Sequence, residues 1–408
     1  MRKLFTLLTF MLLTLQGFSQ WTEQTSSTTH ELISVFFVNN THGWCIGYNG
    51  SDEILLRTTD GGNTWNPQNF VSTNFCTSVF FVDQNHGWIT ESKGKLFATT
   101  DGGSTWTSQT LNNNKYLHQV VFTDLNKGWV VGQDGKIWHT TDGGLNWLPQ
   151  TSGTTQRLLR IFFLDSLNGW AAGWGGIILR TTNGGQNWTT LTTNTTKDVM
   201  GIWFNNTTEG WASATNFMGS DAVVLHTTDG GNTWSAQFNP QTYLTQLQFV
   251  NADTGFVVGW DGHIFSTSDG GDSWIPENSG VSMPLHSLCF TDASHGWACG
   301  YNGTILQYYN PGSSSGIGQQ TMPAHDEIHI VYSTDGACIS LMGNQHQPGI
   351  TSLKLYDAMG RLVDNIDEQF RQAGTFSVSI DAGKLSPGMY FASFITATGR
   401  HTAKVTVR

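Results

Sequence analysis

Gly128-Trp129-Val130-Val131-Gly132-Gln133-Asp134-Gly135-Lys136-Ile137-Trp138-His139-Thr140-Thr141-Asp142-Gly143-Gly144-Leu145-Asn146-Trp147 decides the fold, because both of its ends recur along the chain. The opening pair returns as Gly43-Trp44, Gly87-Trp88, Gly169-Trp170, Gly210-Trp211, Gly255-Phe256 and Gly296-Trp297. In chain order the steps between pairs are 44, 41, 41, 41, 45 and 41 residues. A period of about 40–45 residues is the length of one four-stranded propeller blade.

The closing octet, Thr140 to Trp147, recurs at Thr58–Trp65, Thr99–Trp106, Thr181–Trp188, Thr227–Trp234 and Thr267–Trp274. It reads as a β-hairpin connection. The acid (Asp60, Asp101, Asp142, Asp229 and Asp269, with Asn183 in the fourth copy) accepts backbone N–H groups inside the turn. The glycine pair permits positive φ, and the tryptophan buries its ring against the hairpin. Each unit begins with an apolar run such as Val35-Phe36-Phe37-Val38, Val79-Phe80-Phe81-Val82 or Ile161-Phe162-Phe163-Leu164. Such runs lack polar alternation, so this innermost strand is expected to be covered on both faces.

From each octet Trp to the next Gly-aromatic ring the distance is 22 or 23 residues, and Trp21 stands 23 residues before Trp44. The seventh unit has no octet. Trp21-Thr22-Glu23-Gln24 is therefore expected to supply its fourth strand, closing the ring and removing exposed sheet edges. The units with extra residues carry them between the second and third strands, at Gly50–Glu53 and Thr215–Asp221. That turn lies on the face opposite the octets, where binding loops on a rigid scaffold belong.

Both ends of the chain differ from the repeat. Met1-Arg2-Lys3 and the apolar run Leu4 to Leu15, followed by Gly17-Phe18-Ser19, read as a secretory signal peptide over 1–19. The run is too short to span a bilayer. Residues 311–322 are a Gly/Ser-rich flexible linker, and 323–408 carry alternating strands that predict a small β-sandwich. The expected architecture is all-β: a seven-bladed propeller over 20–310, closed by an N-terminal strand, then the sandwich. The net charge of −11 becomes about −13 without the signal segment, which argues against nucleic acid or anionic lipid as partner. The five cysteines are irregularly spaced and read as small buried hydrophobes, and no Cys/His pair has metal spacing, so neither a metal nor a cofactor is expected.

The octet resembles the Asp-box, or bacterial neuraminidase repeat, of sialidases, sortilin-type receptors and oligoxyloglucan hydrolases. In those families the box lies at the periphery, which implies a structural role here. The segments Leu355–Arg361, Leu385–Tyr390 and Lys404–Arg408 resemble the C-terminal sorting domain of the type IX secretion system of Bacteroidetes. That likeness implies export through the outer membrane to the medium or the cell surface, with the type IX machinery as a partner. Over about residues 21–310 the chain is similar to the photosystem II assembly and stability factors, whose members hold a precursor peptide with an arginine patch. The propeller of this chain has only Arg57, Arg157, Arg160 and Arg180, and Arg57 and Arg180 share one repeat position. So few arginines also leave the sialidase triad unfilled.

The face opposite the boxes offers Tyr48, Gln133, Trp174, Phe217, Trp260 and Tyr301 as candidate ligand contacts. His118, Arg160 and His286 precede innermost strands and are expected at the mouth of the central channel, His118 and His286 in one register. An arc of aromatics with amide neighbours suits sugar rings or a peptide. The expected function is a monomeric, non-enzymatic binding or scaffolding module for a protein, peptide or glycan. The alternative is a glycan-active hydrolase using acidic residues of the same face, with Asp134 and Asp261 as its carboxylates.

Overall fold

The computed structural model describes residues 21–310 apart from 51, 112, 113, 217 and 218, and, beyond 326, the strands named below together with residue 385. The expected signal segment and linker lie outside the described residues. Blade three is representative: Leu117–Phe122, Gly128–Gly132, Ile137–Thr140 and Leu148–Gln150 pair in sequence order as an antiparallel meander. Five more sheets repeat it. In the seventh, Leu285–Phe290, His295–Gly300 and Ile305–Tyr309 are completed by Trp21–Gln24, with Trp21 opposite Tyr308 and Gln24 opposite Ile305. The ring is closed by its own N-terminal strand, as the 23-residue count requires.

The hydrophobic core is divided among the seams between blades, and every seam uses one device. The aromatic of each Gly-aromatic pair stacks on a phenylalanine from the innermost strand of the next blade. Trp44–Phe81, Trp88–Phe122, Trp129–Phe163 and Trp297–Phe37 all have ring centroids 3.6 Å apart. Trp170–Phe204 and Trp211–Phe249 lie at 3.7 Å and Phe256–Phe290 at 4.1 Å. The box tryptophan then meets that phenylalanine edge-on, as Trp147 meets Phe122 at 5.8 Å and 86°. Blade seven lacks a box, and Trp21 fills the same role against Phe290 at 5.8 Å and 88°. The glycine of the pair is required by close approach: a Cβ at Gly128 would lie 2.5 Å from the Phe122 ring.

Each box is a closed hydrogen-bond unit. Thr140 Oγ1 donates to Asp142 Oδ1 at 2.8 Å and accepts from Gly144 N at 2.9 Å. Asn146 donates its backbone N–H to Asp142 Oδ1 at 2.9 Å and its side-chain amide to Oδ2 at 2.8 Å. Gly143 and Gly144 adopt φ of +74° and +88°, which a Cβ would oppose. These bonds hold the carboxyls of Asp101, Asp142, Asp229 and Asp269 down at about 2. Boxes also latch neighbouring blades: Trp44 Nε1 donates to Gly102 O at 3.0 Å and Trp129 Nε1 to Gly184 O at 3.1 Å.

One expectation needs correcting. The innermost strands are not covered on both faces. Val35 and Phe37 are buried in a seam, whereas Phe36 between them is only half-buried and lines the central channel. The runs are largely apolar because Phe36, Phe80, Val121, Phe162 and Trp203 line this end of the channel, with Gln248 at the same position in blade six.

Residues 317–408 form a separate compact unit. One antiparallel sheet joins Glu327–Tyr332, Cys338–Gln345 and Gly374–Asp381. Another orders Leu362–Arg371, Gly349–Asp357, Gly388–Ile395 and Arg400–Val407. Among the described residues no helix is long and apolar enough to cross a membrane.

Candidate ligand-binding face

The face opposite the boxes is built from two repeat positions. One is the residue just before the buried residue that opens each inner ladder: Glu31, Phe75, Tyr116, Arg157, Asp198, Tyr243 and Pro284. The other is the first residue of the turn between second and third strands. In blades three, four, six and seven that turn is a single 3-10 turn, Gln133–Gly135, Trp174–Gly176, Trp260–Gly262 and Tyr301–Gly303. The backbone brings the two positions together, because the N–H of each turn residue donates to the carbonyl of its partner. Gln133 N meets Tyr116 O at 2.9 Å, Trp174 N meets Arg157 O at 3.0 Å, and Trp260 N meets Tyr243 O at 2.9 Å. A glycine precedes each turn because that carbonyl crosses it; a Cβ at Gly173 would lie 1.9 Å from Arg157 O.

The result is a belt of rings around the channel mouth. Tyr48 lies 5.5 Å from Phe75, Phe75 5.4 Å from Tyr116, and Tyr116 5.5 Å from His118. The Arg157 guanidinium sits 5.4 Å from the Tyr116 ring and 4.1 Å from that of Trp174, a cation–π clasp. Tyr243 stacks on Trp260 at 4.7 Å, and His286 meets Tyr301 at 5.3 Å. Trp174, Trp260 and Tyr301 leave 39%, 40% and 43% of their surface exposed, unlike the seam tryptophans, so they are free to meet a ligand. Gln133 takes the same turn position in blade three, its Oε1 accepting from Tyr116 N at 3.5 Å. Phe217 lies outside the described residues.

His118, Arg160 and His286 sit within the innermost strands, not ahead of them, and all three line the channel. Every innermost strand carries a bulge near its start, and His118 and His286 are the bulged residues of their blades, in one register as expected. Arg160 follows a bulge instead. Burial, reinforced by Arg157 and Arg160, pushes His118 down to about 3, so its imidazole is neutral. Burial lowers Arg160 to about 10, which leaves it a cation at neutral pH.

Sequence reasoning missed Glu31, which organises the rim between blades one and seven. His286 Nε2 lies 2.9 Å from Glu31 Oε1. Burial raises the Glu31 carboxyl, but bonds from His286, Tyr48 and Tyr301 outweigh it and hold the group below its usual value. A second missed carboxyl is Glu53, pushed up to about 7 chiefly by burial, with the nearby charge of buried Glu91 adding to it. Asp134 and Asp261 are not a pair. Each occupies the left-handed centre of its own turn, at φ +59° and +57°, in blades three and six, and Asp134 is engaged by Lys115 at 3.1 Å. Arg57 and Arg180 lie over the seam rings of Trp44 and Trp170, at 5.6 and 5.5 Å. Cys45, Cys76, Cys289 and Cys299 are buried free thiols. Among the described residues no cluster of His, Cys, Asp and Glu is suited to a metal ion.

Below the rim the channel encloses about 670 Å³. At its boxed end Phe36, Phe80, Phe162 and Trp203 form an aromatic arc, with Phe36–Phe80 at 4.7 Å and Phe162–Trp203 at 4.8 Å, and Gln248 at the same level bonds Phe290 through its amide.

Comparison with known proteins agrees with this geometry. Residues 69–152 and 148–239 match the family described as photosynthesis system II assembly factor YCF48. Residues 322–408 match the secretion system C-terminal sorting domain, which marks the chain for export to the cell surface. Among solved structures, YCF48 bound to D1 peptide is 21% identical, covering 72% of this chain and 98% of its own, with a TM-score of 0.61. YCF48 from Cyanidioschyzon merolae is 20% identical, covering 71% and 98%, with a TM-score of 0.59. A catalytically inactive variant of virginiamycin B lyase from Staphylococcus aureus with quinupristin is 14% identical, covering 70% and 98%, with a TM-score of 0.60. At these identities the likeness is one of fold. Among curated proteins there is no match.

Proposed function

We propose that this protein is a non-enzymatic binding module, displayed on or released from the cell surface, which holds a peptide segment of a partner on the face opposite its boxes. The belt of exposed and half-buried rings around the channel mouth carries the reading. Flat rings at about 5 Å spacing, interrupted by Arg157 and Glu31, offer stacking surface and charge along an extended chain. That a propeller of the same fold is solved with a peptide bound supports a peptide over a glycan. The boxed face has its hydrogen bonds engaged internally and serves as scaffold. The test is a peptide and glycan array probed with the exported protein and with Trp174→Ala/Trp260→Ala. Peptide binding lost in the double variant is expected; binding that survives both substitutions sinks the reading.

A second reading rests on Glu53. A carboxyl near 7 beside Glu91 has the protonation needed of a general acid, and a glycan-active hydrolase would use such a group. Neither residue lines the channel, which weighs against it. Release of reducing sugar, abolished by Glu53→Gln, would establish that alternative.

A further inference from the structure

Below the aromatic belt, the residue after each inner-strand bulge forms one level of the channel wall: Ser34, Ser78, Gln119, Arg160, Gly201, Gln246 and Ser287. Four of these side chains tie one blade to the next. Gln119 Oε1 accepts from Ile161 N at 2.8 Å and Gln246 Oε1 from Leu288 N at 3.2 Å. Ser34 Oγ accepts from Val79 N and Ser287 Oγ from Val35 N, both at 3.2 Å. With their carbonyl oxygens engaged in the wall, Gln119 and Gln246 retain their –NH₂ groups, which can only donate.

Arg160 shares this level. Its Nη1 donates to Leu159 O at 3.1 Å, and its Nη2 reaches Thr245 O, in blade six, at 3.3 Å. Both partners are neutral carbonyls, and no described carboxylate pairs with it. Among the described residues no Asp or Glu lines the channel, although the chain is strongly acidic. A guanidinium half-buried in the channel wall with no counter-ion is under-paired, and an anion placed beside it gains more there than in open water. A planar fork of N–H donors is also the group best matched to a carboxylate.

We propose that this level is a carboxylate-binding socket, in which Arg160, flanked by the amides of Gln119 and Gln246, holds the terminal carboxylate of a peptide. The inference rests on the peptide-binding reading and narrows it to a chain end. The aromatic arc of Phe36, Phe80, Phe162 and Trp203 lies immediately below, so a ligand entering from the rim presents an end there. The rings above stack on the preceding residues. An acidic sugar offers the same carboxylate, but it would bring a hydrated ring into a passage floored by aromatics.

The experiment titrates the full exported chain with N-acetylphenylalanine, its C-terminal amide, and glucuronate, following the side-chain amide resonances of Gln119 and Gln246. The free acid should bind saturably and shift both amides, the amide form at least tenfold more weakly. Gln246→Glu places a carboxylate inside the socket while keeping an acceptor for Leu288 N, and should weaken the free acid at least tenfold in a folded protein. Equal binding of acid and amide, unchanged binding in Gln246→Glu, or a preference for glucuronate overturns the proposal. If array peptides bind through Trp174 and Trp260 but acid and amide do not differ, the binding reading stands and the socket falls. If the array is silent while N-acetylphenylalanine binds as stated, the reverse holds.

Discussion

On the boxed face, six copies of one turn direct their N–H groups inward onto their own Asp or Asn, and five of them accept from the tryptophan of the preceding blade. On the opposite face the same repeat leaves its turns to vary in length, in charge and in the ring they display. Both faces hang from one kind of seam, an aromatic of one blade stacked on a phenylalanine of the next. The contrast teaches where substitution should be felt as lost stability and where as lost recognition.

Breaking a seam should have the largest effect. Trp129→Ala removes a fully buried ring stacked at 3.6 Å and should cost about 3–5 kcal/mol, read as the shift in a urea unfolding midpoint. A cost below about 1 kcal/mol would mean that the seams are not the stabilising element.

Glu53 stands between the two faces in its consequences. Its folded pKa, about 7, exceeds the value expected when unfolded, so the folded state keeps a proton that the unfolded state releases. Stability should therefore fall as pH rises from about 4.5 to about 7, then level off. Glu53→Gln should remove that slope and raise stability at pH 8 by on the order of 2 kcal/mol, while changing little at pH 4. Parallel melting curves at both pH values decide it.

A single box should matter less. Asp142 has a lowered pKa, so its contribution is present above the ordinary carboxyl range and lost as pH falls through about 2. Asp142→Ala should lower the melting temperature at pH 7 with the difference shrinking toward pH 2. Asp142→Asn, which copies the natural Asn183, should be the milder change. If the alanine variant melts with wild type at pH 7, the box is not structural.

The smallest change in stability belongs to the belt. Trp174→Ala with Trp260→Ala should cost only about 1–2 kcal/mol, the loss of the contacts to Arg157 and Tyr243 by two part-exposed rings, while removing peptide binding. A large loss of stability would erase the distinction between the faces.

The fold was legible in the sequence because each seam stacks an aromatic on a phenylalanine, and aromatics in fixed register survive in a linear count. Even the role of Trp21 followed, since the ring geometry places a tryptophan against every inner-strand phenylalanine. The candidate site was legible only in part. Trp174, Trp260 and Tyr301 stand out because nothing in the repeat calls for rings in those turns. Glu31, Tyr116, Arg157 and Tyr243 share one repeat position but differ in chemistry, so composition hides them; only alignment of the blades on their inner-strand leucines exposes the position. Gln119 and Gln246 were harder still, because half of each amide is structural and only its bond to the next blade frees the other half for a ligand.

The closing strand sets an order of events. Trp21–Gln24 is made before any blade, yet its partner, Ile305–Tyr309, is made after all the others, with Thr22 and Gln307 separated by 285 positions. Six blades can form as the chain lengthens, each from neighbouring segments, while the seventh must wait for a strand held in reserve since the start. The segment that matches the sorting domain begins only at residue 322, so the last strand the ring needs is made before the sorting segment.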